Sequence, residues 1–331
     1  MLALALLLYA CAAPQTKQLT HAPSAALPTS VLLEDVPFFA QQAYYCGPAA
    51  LAIVMNFHGL RVTQKALARS VYVPELRGSL QAEMRAATRE RGLLAHVLTP
   101  NLRSLLAEIA AKHPVVVLQN LGVSWYPAWH YAVAIGYDLE TQEIILHSGR
   151  HPHYRAPLAT FERTWARSDY WALVPLPPSQ LPHDGNPMRV LEAAAALEAT
   201  GHTRAAQQAY AAAVRRWPNN LIARMGLGNT FFALDNKPGA MRAFAAATRI
   251  DSEVAAAWNN LAVTLADLGC KVTAQAAARH AVSIQETDKN YRATLEQVKT
   301  APVGADELIK CPPLMTVPQG YRRNLRTRHL D

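Results

Sequence analysis

The feature of this sequence that most constrains its fold is a repeat in the C-terminal half of the chain. Positions spaced thirty-four residues apart carry the same kinds of side chain, mostly small or aromatic. The matched sets are Gly201, Asp235 and Gly269; Ala206, Ala240 and Ala274; Tyr210, Phe244 and Ala278; Ala213, Ala247 and Ala281; and Pro218, Ser252 and Glu286, with Leu227, Gly228 and Phe231 matching Leu261, Ala262 and Leu265. Small residues let two helices approach closely, and an aromatic ring fills the gap between them. The pattern therefore predicts helix pairs that stack along one axis.

The period and the residue types resemble the tetratricopeptide repeat, in which each repeat is a pair of helices. We expect about three such repeats over residues 188–300, closed by a final helix in KNYRATLEQVKT. The first copy is weak upstream and the third lacks both the aromatic residue and the proline, which is common in terminal repeats because one face is capped. A plain helical bundle is the alternative. The resemblance implies that the repeat surface binds a protein partner.

The N-terminal half follows a different pattern, that of a mixed α/β unit over residues 35–177. A chain of 331 residues is long enough for about two domains. Apolar residues at helical spacing follow Cys46 and predict a buried helix. The segment HYAVAIGYDLETQEIILHSG predicts a β-hairpin with its turn at residues 138–142. Pro175 is expected to end the last strand, and the proline-rich segment 178–187 is the predicted linker.

One cysteine stands where the predicted buried helix begins. Cys46 lies in YYCGPAAL, where Pro48 suits the first turn of a helix because its nitrogen needs no hydrogen-bond partner. The unpaired N–H groups and partial positive charge of a helix N-terminus favour a thiolate, which is the form that attacks carbonyl carbons. We therefore expect Cys46 to be a reactive thiol with a lowered pKa. An inert, buried cysteine is the alternative.

Two other features supply partners for that thiol. Gln41 and Gln42 precede it in QQAYYC, and acyl transfer at a cysteine needs an amide side chain and a backbone N–H that stabilise the oxyanion. His130, in WHYAVAIGYD, begins a predicted apolar strand. An imidazole at that position can take the thiol proton and return it.

Together, QQAYYCGPAAL and WHYAVAIGYD resemble the peptidase family that processes the double-glycine leaders of bacteriocins, which has a papain-like fold. The resemblance covers residues 36–176. It implies that Cys46 is the nucleophile and that His130 is the general base and then the acid. It also implies that Gln41, at the family spacing, is the oxyanion donor in preference to Gln42. With the repeats, the implied fold class is an α+β papain-like cysteine peptidase domain followed by an all-α tetratricopeptide repeat solenoid.

The residue that orients the histidine ring departs from the family pattern, which has Asp or Asn there. With the hairpin turn near residue 140, His130 lies opposite roughly residue 149. Ser148 is nearest to the expected position, and His147 is the other candidate. Asp138 is roughly 25 Å away along the strand, at about 3.3 Å per residue, and cannot serve. A hydroxyl brings no negative charge to an imidazolium, so the sequence supports the fold better than it supports turnover.

The N-terminus predicts export and a lipid anchor. The segment MLALALLLYAC suits the apolar part of an export signal and is too short to span a bilayer. Its end resembles a bacterial lipobox, which implies that residues 1–11 are a lipoprotein signal, that Cys11 is lipidated and that residues 12–34 are a flexible tether. We expect the periplasmic side of the cell envelope, and the outer membrane because Ala12 is not the aspartate of inner-membrane retention. The alternatives are an ordinary cleaved signal and a chance apolar end of the chain.

Charge and the remaining cysteines give two further expectations. The net charge is +8, but the clustered arginines lie in a basic tail over residues 301–331 and are expected to be solvated, so no nucleic-acid partner is expected. Cys270 and Cys311 are candidates for a disulfide in an oxidising compartment.

Metal and cofactor chemistry are not expected. His147, His151 and His153 lie close together in HSGRHPH, but no carboxylate or cysteine is near them in the sequence.

The predicted function is that of a cysteine peptidase that hydrolyses a peptide or protein substrate by thiol acyl transfer. One alternative is a non-catalytic adaptor that binds peptides through a degenerate peptidase domain. The other is an amidase or transferase that uses the same cysteine on a different acyl donor.

Overall fold

The computed structural model describes residues 13–21, 27–123, 125–300 and 311. The chain divides into two compact units, residues 1–213 and residues 214–331, and each is described by itself. This division falls within the predicted repeat region, whereas the sequence placed the linker at residues 178–187. Among the described residues, no helix combines the length and the hydropathy that crossing a membrane requires.

A seven-stranded antiparallel sheet forms the centre of the first unit. Its strands are β1 (Ser30–Leu32), β2 (Leu94–Val97), β3 (Val115–Asn120), β4 (Trp129–Asp138), β5 (Glu143–Ser148), β6 (His151–Pro157) and β7 (Ala172–Leu176). The strand order is β2-β7-β3-β4-β5-β6, and β1 pairs with the C-terminal end of β4. Pro175 lies inside β7, opposite Ala95, and the strand ends one residue later than predicted.

The predicted hairpin is confirmed as β4 and β5. Asp138 pairs with Glu143 where the two strands meet the turn. The carboxylate of Asp138 accepts hydrogen bonds from the N–H groups of Glu140 (2.9 Å) and Thr141 (3.0 Å), which fixes the turn. Asp138 is thus at the opposite end of the hairpin from His130, as the strand length predicted.

The first unit also contains helices, some of which begin at a side-chain cap. They are α1 (Pro14–His21), α2 (Cys46–Phe57), α3 (Gln64–Val71), α4 (Gln81–Glu90), α5 (Leu102–Ala110), α6 (Leu158–Ala166) and α7 (Pro187–Ala199), while α8 (Thr203–Arg216) runs across the boundary between the units. Thr63 and Asn101 cap α3 and α5 with their side-chain oxygens. Helix α2 packs against β4 and is buried from its second residue to its tenth, as its apolar sequence predicts.

Part of the segment predicted as a flexible tether, residues 12–34, is folded. Helix α1 begins where the Glu162 carboxylate accepts hydrogen bonds from the N–H groups of Gln15 (2.9 Å) and Thr16 (2.6 Å). A carboxylate at a helix N-terminus satisfies unpaired donors and interacts favourably with the helix dipole. Strand β1 lies in the same segment and belongs to the sheet.

The segment 178–187 is also held against the first unit. Asp184 is buried and lies 3.0 Å from Nε2 of the buried His96. Its other carboxylate oxygen accepts a hydrogen bond from the N–H of Thr99 (3.1 Å), and its own N–H donates to buried Glu108 (3.0 Å). Helix α7 then packs against β2. These contacts explain why the compact unit continues beyond the predicted linker.

The second unit is helical and confirms the predicted solenoid class. It contains α9 (Leu221–Ala233), α10 (Lys237–Ile250), α11 (Ala255–Asp267), α12 (Lys271–Ile284) and α13 (Lys289–Thr300), and consecutive helices pack on one another. The repeated residues Ala240, Ala274, Ala247 and Ala281 are fully buried, as the period predicts. A Cβ at Gly228 would overlap the Phe244 ring, so here the small residue does make room for the aromatic one.

A disulfide joins Cys270 to Cys311, with Cα atoms 5.6 Å apart. Cys270 is buried at the start of α12, among the apolar side chains of the second unit, and Cys311 packs against the same cluster. The pairing that the sequence left open is therefore present. Cys11 lies outside the described residues, as do the residues of the basic tail other than Cys311.

Candidate active site

Cys46 is the first residue of α2, and the chain before it is bent to place it there. Tyr44 has a left-handed backbone (φ 65°), a conformation that is costly for a residue other than glycine. Tyr45 precedes the helix without a side-chain capping bond. The first N–H groups of the helix are therefore available to the sulfur, and those of Cys46 and Gly47 donate to it.

Gly47 is needed because Ser79 lies directly against the helix start. A Cβ at Gly47 would be 2.5 Å from Ser79 Oγ and 2.7 Å from Ser79 Cβ. The Tyr131 hydroxyl donates to the Ser79 carbonyl (3.3 Å), while Ser79 Oγ is buried without a hydrogen-bond partner among the described residues. No sequence signal pointed to Ser79, since it belongs to no motif and reaches the helix start only through the fold.

Strand β4 meets α2 at the thiol. The backbone N–H of Tyr131 donates to Cys46 Sγ, as do the two N–H groups of the helix start. Burial nevertheless raises the pKa of the Cys46 thiol, and these hydrogen bonds offset only part of that rise. The expectation of a lowered pKa is therefore wrong, because removing the sulfur from water has a larger effect than the helix terminus. The resting thiol is protonated at neutral pH.

His130 is the second residue of β4 and lies opposite Gln119 of β3. It is half-buried, and burial lowers the pKa of its ring, so the imidazole is neutral at neutral pH. The hydrogen bonds of the described Cys46 and His130 do not include one directly between them. Tyr131, whose N–H donates to the sulfur, is the residue after His130 in the strand. The thiol and the imidazole are thus both neutral at neutral pH.

Ser148 is the residue that contacts the His130 ring. Its Oγ lies 2.9 Å from Nε2 of His130, so the position inferred from the hairpin register is where the structure places it. Nδ1 is then the ring nitrogen left for the thiol. His147, the other candidate, is buried and uses both of its ring nitrogens on backbone groups, the Val36 carbonyl (3.1 Å) and the His153 N–H (3.3 Å). Its part is structural.

Gln41, rather than Gln42, shares a cavity with Cys46. The N–H of Gln41 donates to the Gly149 carbonyl (3.0 Å) and so holds the residue at the end of β5. Gln41 Oε1 is buried without a hydrogen-bond partner among the described residues, in a cavity of about 10 Å³, the space of one water. Gln42 is exposed, and its backbone N–H is held by Gln64 (3.3 Å).

The histidines beyond β5 are not gathered around a common point. His153 makes an edge contact with the His147 ring, with centroids 4.9 Å apart, and His151 lies against Tyr154. Within the described ranges, no group of three His, Cys, Asp or Glu residues is placed to hold a metal ion.

Comparison with known proteins gives a family match over part of the chain. Residues 33–172 match the model of the Peptidase_C39 like family, a span that contains Cys46, His130 and Ser148. The matched span is 140 of the 331 residues, which is less than half of the chain. A search of curated proteins gives no match to the chain.

Solved structures each resemble a part of the chain at low identity. A candidate C39-like peptidase from Bacillus anthracis is 17% identical, covers 45% of this chain and 98% of its own, and has a TM-score of 0.39. The first TPR of Spaghetti (RPAP3), bound to the HSP90 peptide SRMEEVD, is 13% identical over 35% of this chain and 91% of its own, with a TM-score of 0.34. The Yersinia enterocolitica type III secretion chaperone SycD, in complex with a YopD peptide, is 15% identical over 34% and 91%, with a TM-score of 0.32.

Proposed function

We propose that this protein is a cysteine peptidase in which Cys46 is the nucleophile and His130 is the base. The observation that carries the proposal is that the N–H of Tyr131 in β4 donates to a thiol at the start of α2, and that His130 is the residue before Tyr131 in that strand. The hydrogen bond from His130 to Ser148 supports it, because a catalytic imidazole needs a second group to fix its ring.

The chemistry follows from a neutral pair. When a peptide carbonyl binds, Nδ1 of His130 takes the thiol proton while the sulfur forms a bond to the carbonyl carbon. The Nε2–H group of the same ring then donates to Ser148. The N–H of Cys46 and the Gln41 amide stabilise the oxyanion. The imidazolium gives its proton to the leaving amine as the C–N bond breaks, and water hydrolyses the thioester in a second round.

Burial of the Cys46 thiol keeps it protonated until a substrate binds. A resting thiolate in a buried site would be costly, and a protonated thiol avoids that cost until the substrate arrives. The three N–H donors around the sulfur stabilise the negative charge only as it develops. Ser148 contributes no charge to the imidazolium, so we expect a slower enzyme than one with a carboxylate at that position.

The setting of the enzyme is part of the proposal. We infer that Cys11 is lipidated and that the protein acts on the periplasmic side of the cell envelope, at the outer membrane. The disulfide between Cys270 and Cys311 supports an oxidising compartment, since such bonds are rare in reducing cytosol. The helical repeats would bind a peptide or protein partner on their surface.

The test is hydrolysis of a proteome-derived peptide mixture by the full chain, with new termini identified by mass spectrometry. Wild-type protein should cleave peptides, and Cys46→Ser and His130→Ala should abolish cleavage. His151→Ala, which removes a histidine outside the site, should retain it. Cleavage that survives Cys46→Ser would contradict the proposal.

A non-catalytic, peptide-binding adaptor is the second candidate. It is favoured by the raised pKa of Cys46 and by the uncharged Ser148 beside His130. Binding of peptides by the wild-type protein without any cleavage, and with unchanged affinity in His130→Ala, would establish the adaptor instead.

A further inference from the structure

The connection between β3 and β4 carries a concentration of exposed aromatic side chains. Trp125 is 86% exposed, Tyr126 is 78% exposed and Trp129 is 54% exposed. We refer to these three residues as the aromatic turn. Single exposed apolar residues are ordinary on a protein surface, but a cluster marks an interaction site. Trp and Tyr are also the residues that contribute most often to binding energy.

Hydrogen bonds hold the backbone of this connection in place. The side-chain oxygen of buried Asn120 accepts from the N–H groups of Gly122 (3.0 Å) and Ala128 (2.9 Å). The Arg167 guanidinium donates to the carbonyls of Asn120 (3.1 Å) and Gly122 (2.6 Å). The aromatic side chains are thus presented to solvent from an ordered backbone, which lowers the entropic cost of binding.

The aromatic turn is linked to the nucleophile by strand β4, which contains both Trp129 and Tyr131. Trp129 and Tyr131 lie on the same face of β4, because successive side chains of a strand alternate. Tyr131 lines the cavity that contains Cys46 and donates its N–H to the sulfur. At about 3.3 Å per residue, Trp129 stands roughly 7 Å along the strand from Tyr131, which is the reach of one or two residues of a bound peptide.

Exposed side chains also occur in two segments close to the start of α2, namely residues 76–80 and Tyr44. Leu76 is 58% exposed and Leu80 is exposed as well, and Ser79 between them lies against Gly47. Tyr44, two residues before the nucleophile, is exposed under the Arg77 guanidinium, 5.8 Å from its ring centroid. A substrate at Cys46 would therefore meet apolar surface from two segments of the chain.

We propose that the aromatic turn selects peptide substrates with an aromatic or large aliphatic side chain within one or two residues of the scissile bond. The inference rests on the peptidase function proposed above and adds the substrate class. Such a side chain would stack on Trp125, Tyr126 or Trp129 and leave water. A peptide is favoured over a lipid surface because Trp129 lies two residues from Tyr131, whose N–H donates to the thiol, and a membrane there would block the substrate.

The experiment uses the full chain and a peptide that the wild-type protein cleaves, paired with a version in which the flanking aromatic residue is alanine. The variants are Trp125→Ser with Tyr126→Ser, and Trp129→Ser. The matched control is Tyr154→Ser, a half-exposed aromatic residue on β6 of the same sheet. The rate of Cys46 alkylation by iodoacetamide verifies that each variant keeps an intact site.

We expect the turn variants to lower kcat/KM for the aromatic peptide roughly tenfold or more and to leave the alanine peptide and the alkylation rate unchanged. The control should keep the wild-type preference. Equal loss on both peptides, or no loss, would overturn the inference while leaving the peptidase intact. Loss of binding to phosphatidylglycerol vesicles, with unchanged cleavage of both peptides, would also overturn the inference, because the turn would then be a membrane contact. Absence of cleavage by wild-type protein would instead remove the proposed function, and this inference with it.

Discussion

The contact between His130 and Ser148 gives the sharpest prediction. The two atoms are 2.9 Å apart, and in the proposed step the ring donates from a cationic state. A hydrogen bond that involves a charged group contributes about 1.5–3 kcal/mol, and about 1.4 kcal/mol corresponds to a tenfold change in rate. Ser148→Ala should therefore lower kcat/KM by roughly 10- to 100-fold.

The reverse substitution, Ser148→Asp, should move the acidic limb of the pH profile. Burial lowers the pKa of His130, so the wild-type ring accepts a proton only at acid pH. A carboxylate within hydrogen-bond distance raises an imidazole pKa by about 1–3 units. The apparent pKa of the acidic limb of kcat/KM should rise by about 1–3 units, and kcat/KM on the plateau should be higher. Thr141→Asp, at the far end of the same hairpin, adds the same charge and should leave the limb in place.

The assay is peptide hydrolysis from pH 4 to pH 9 with one cleaved peptide. An acidic limb that stays in place in Ser148→Asp, together with an unchanged rate in Ser148→Ala, would refute the assignment of Ser148. That result would mean that a group other than Ser148 orients the His130 ring.

Three further predictions concern stability. Gly47→Ala should lower the free energy of unfolding, measured by urea titration, by about 1–3 kcal/mol, because the new Cβ overlaps Ser79. Adding Ser79→Gly to this variant should restore the stability. If it does not, the strain lies elsewhere. Replacing Cys270 and Cys311 with serine should lower the free energy of unfolding by about 2–4 kcal/mol, since the disulfide closes a loop of 41 residues. Equal stability of the wild-type protein with and without reductant would contradict this prediction. Burial by itself raises the pKa of Asp184, but hydrogen bonds from His96 and Thr99 lower it to about 2. Its contribution to stability is therefore present above pH 4 and lost as the pH falls towards 2, and Asp184→Asn should remove this part of the pH dependence of thermal unfolding.

The parts of the fold that the sequence predicted are those with a repeated or local signal. The thirty-four-residue period specified the buried alanines and the contact between Gly228 and Phe244, because each repeat must bury the same positions. The hairpin was predicted from its alternation, and the predicted turn position led to Ser148, whose side chain does contact the His130 ring.

The parts that the sequence did not predict depend on burial and on contacts between distant segments. Helix α1 begins at the carboxylate of Glu162, 147 residues from Gln15, and β1 is too short to carry a pattern. The pKa of Cys46 was misjudged for the same reason. A helix N-terminus can be recognised from Pro48, whereas the loss of water around the sulfur depends on α2 and β4 together.

The most direct test of the central claim is the rate of Cys46 alkylation by iodoacetamide at neutral pH, in wild-type protein and in His130→Gln. Labelling is quantified on the peptide that contains Cys46. If His130 takes the thiol proton, the substitution should slow alkylation by roughly tenfold or more, because general-base assistance is of at least that size. Equal rates in the two proteins would contradict the claim that this thiol and this imidazole act as a pair.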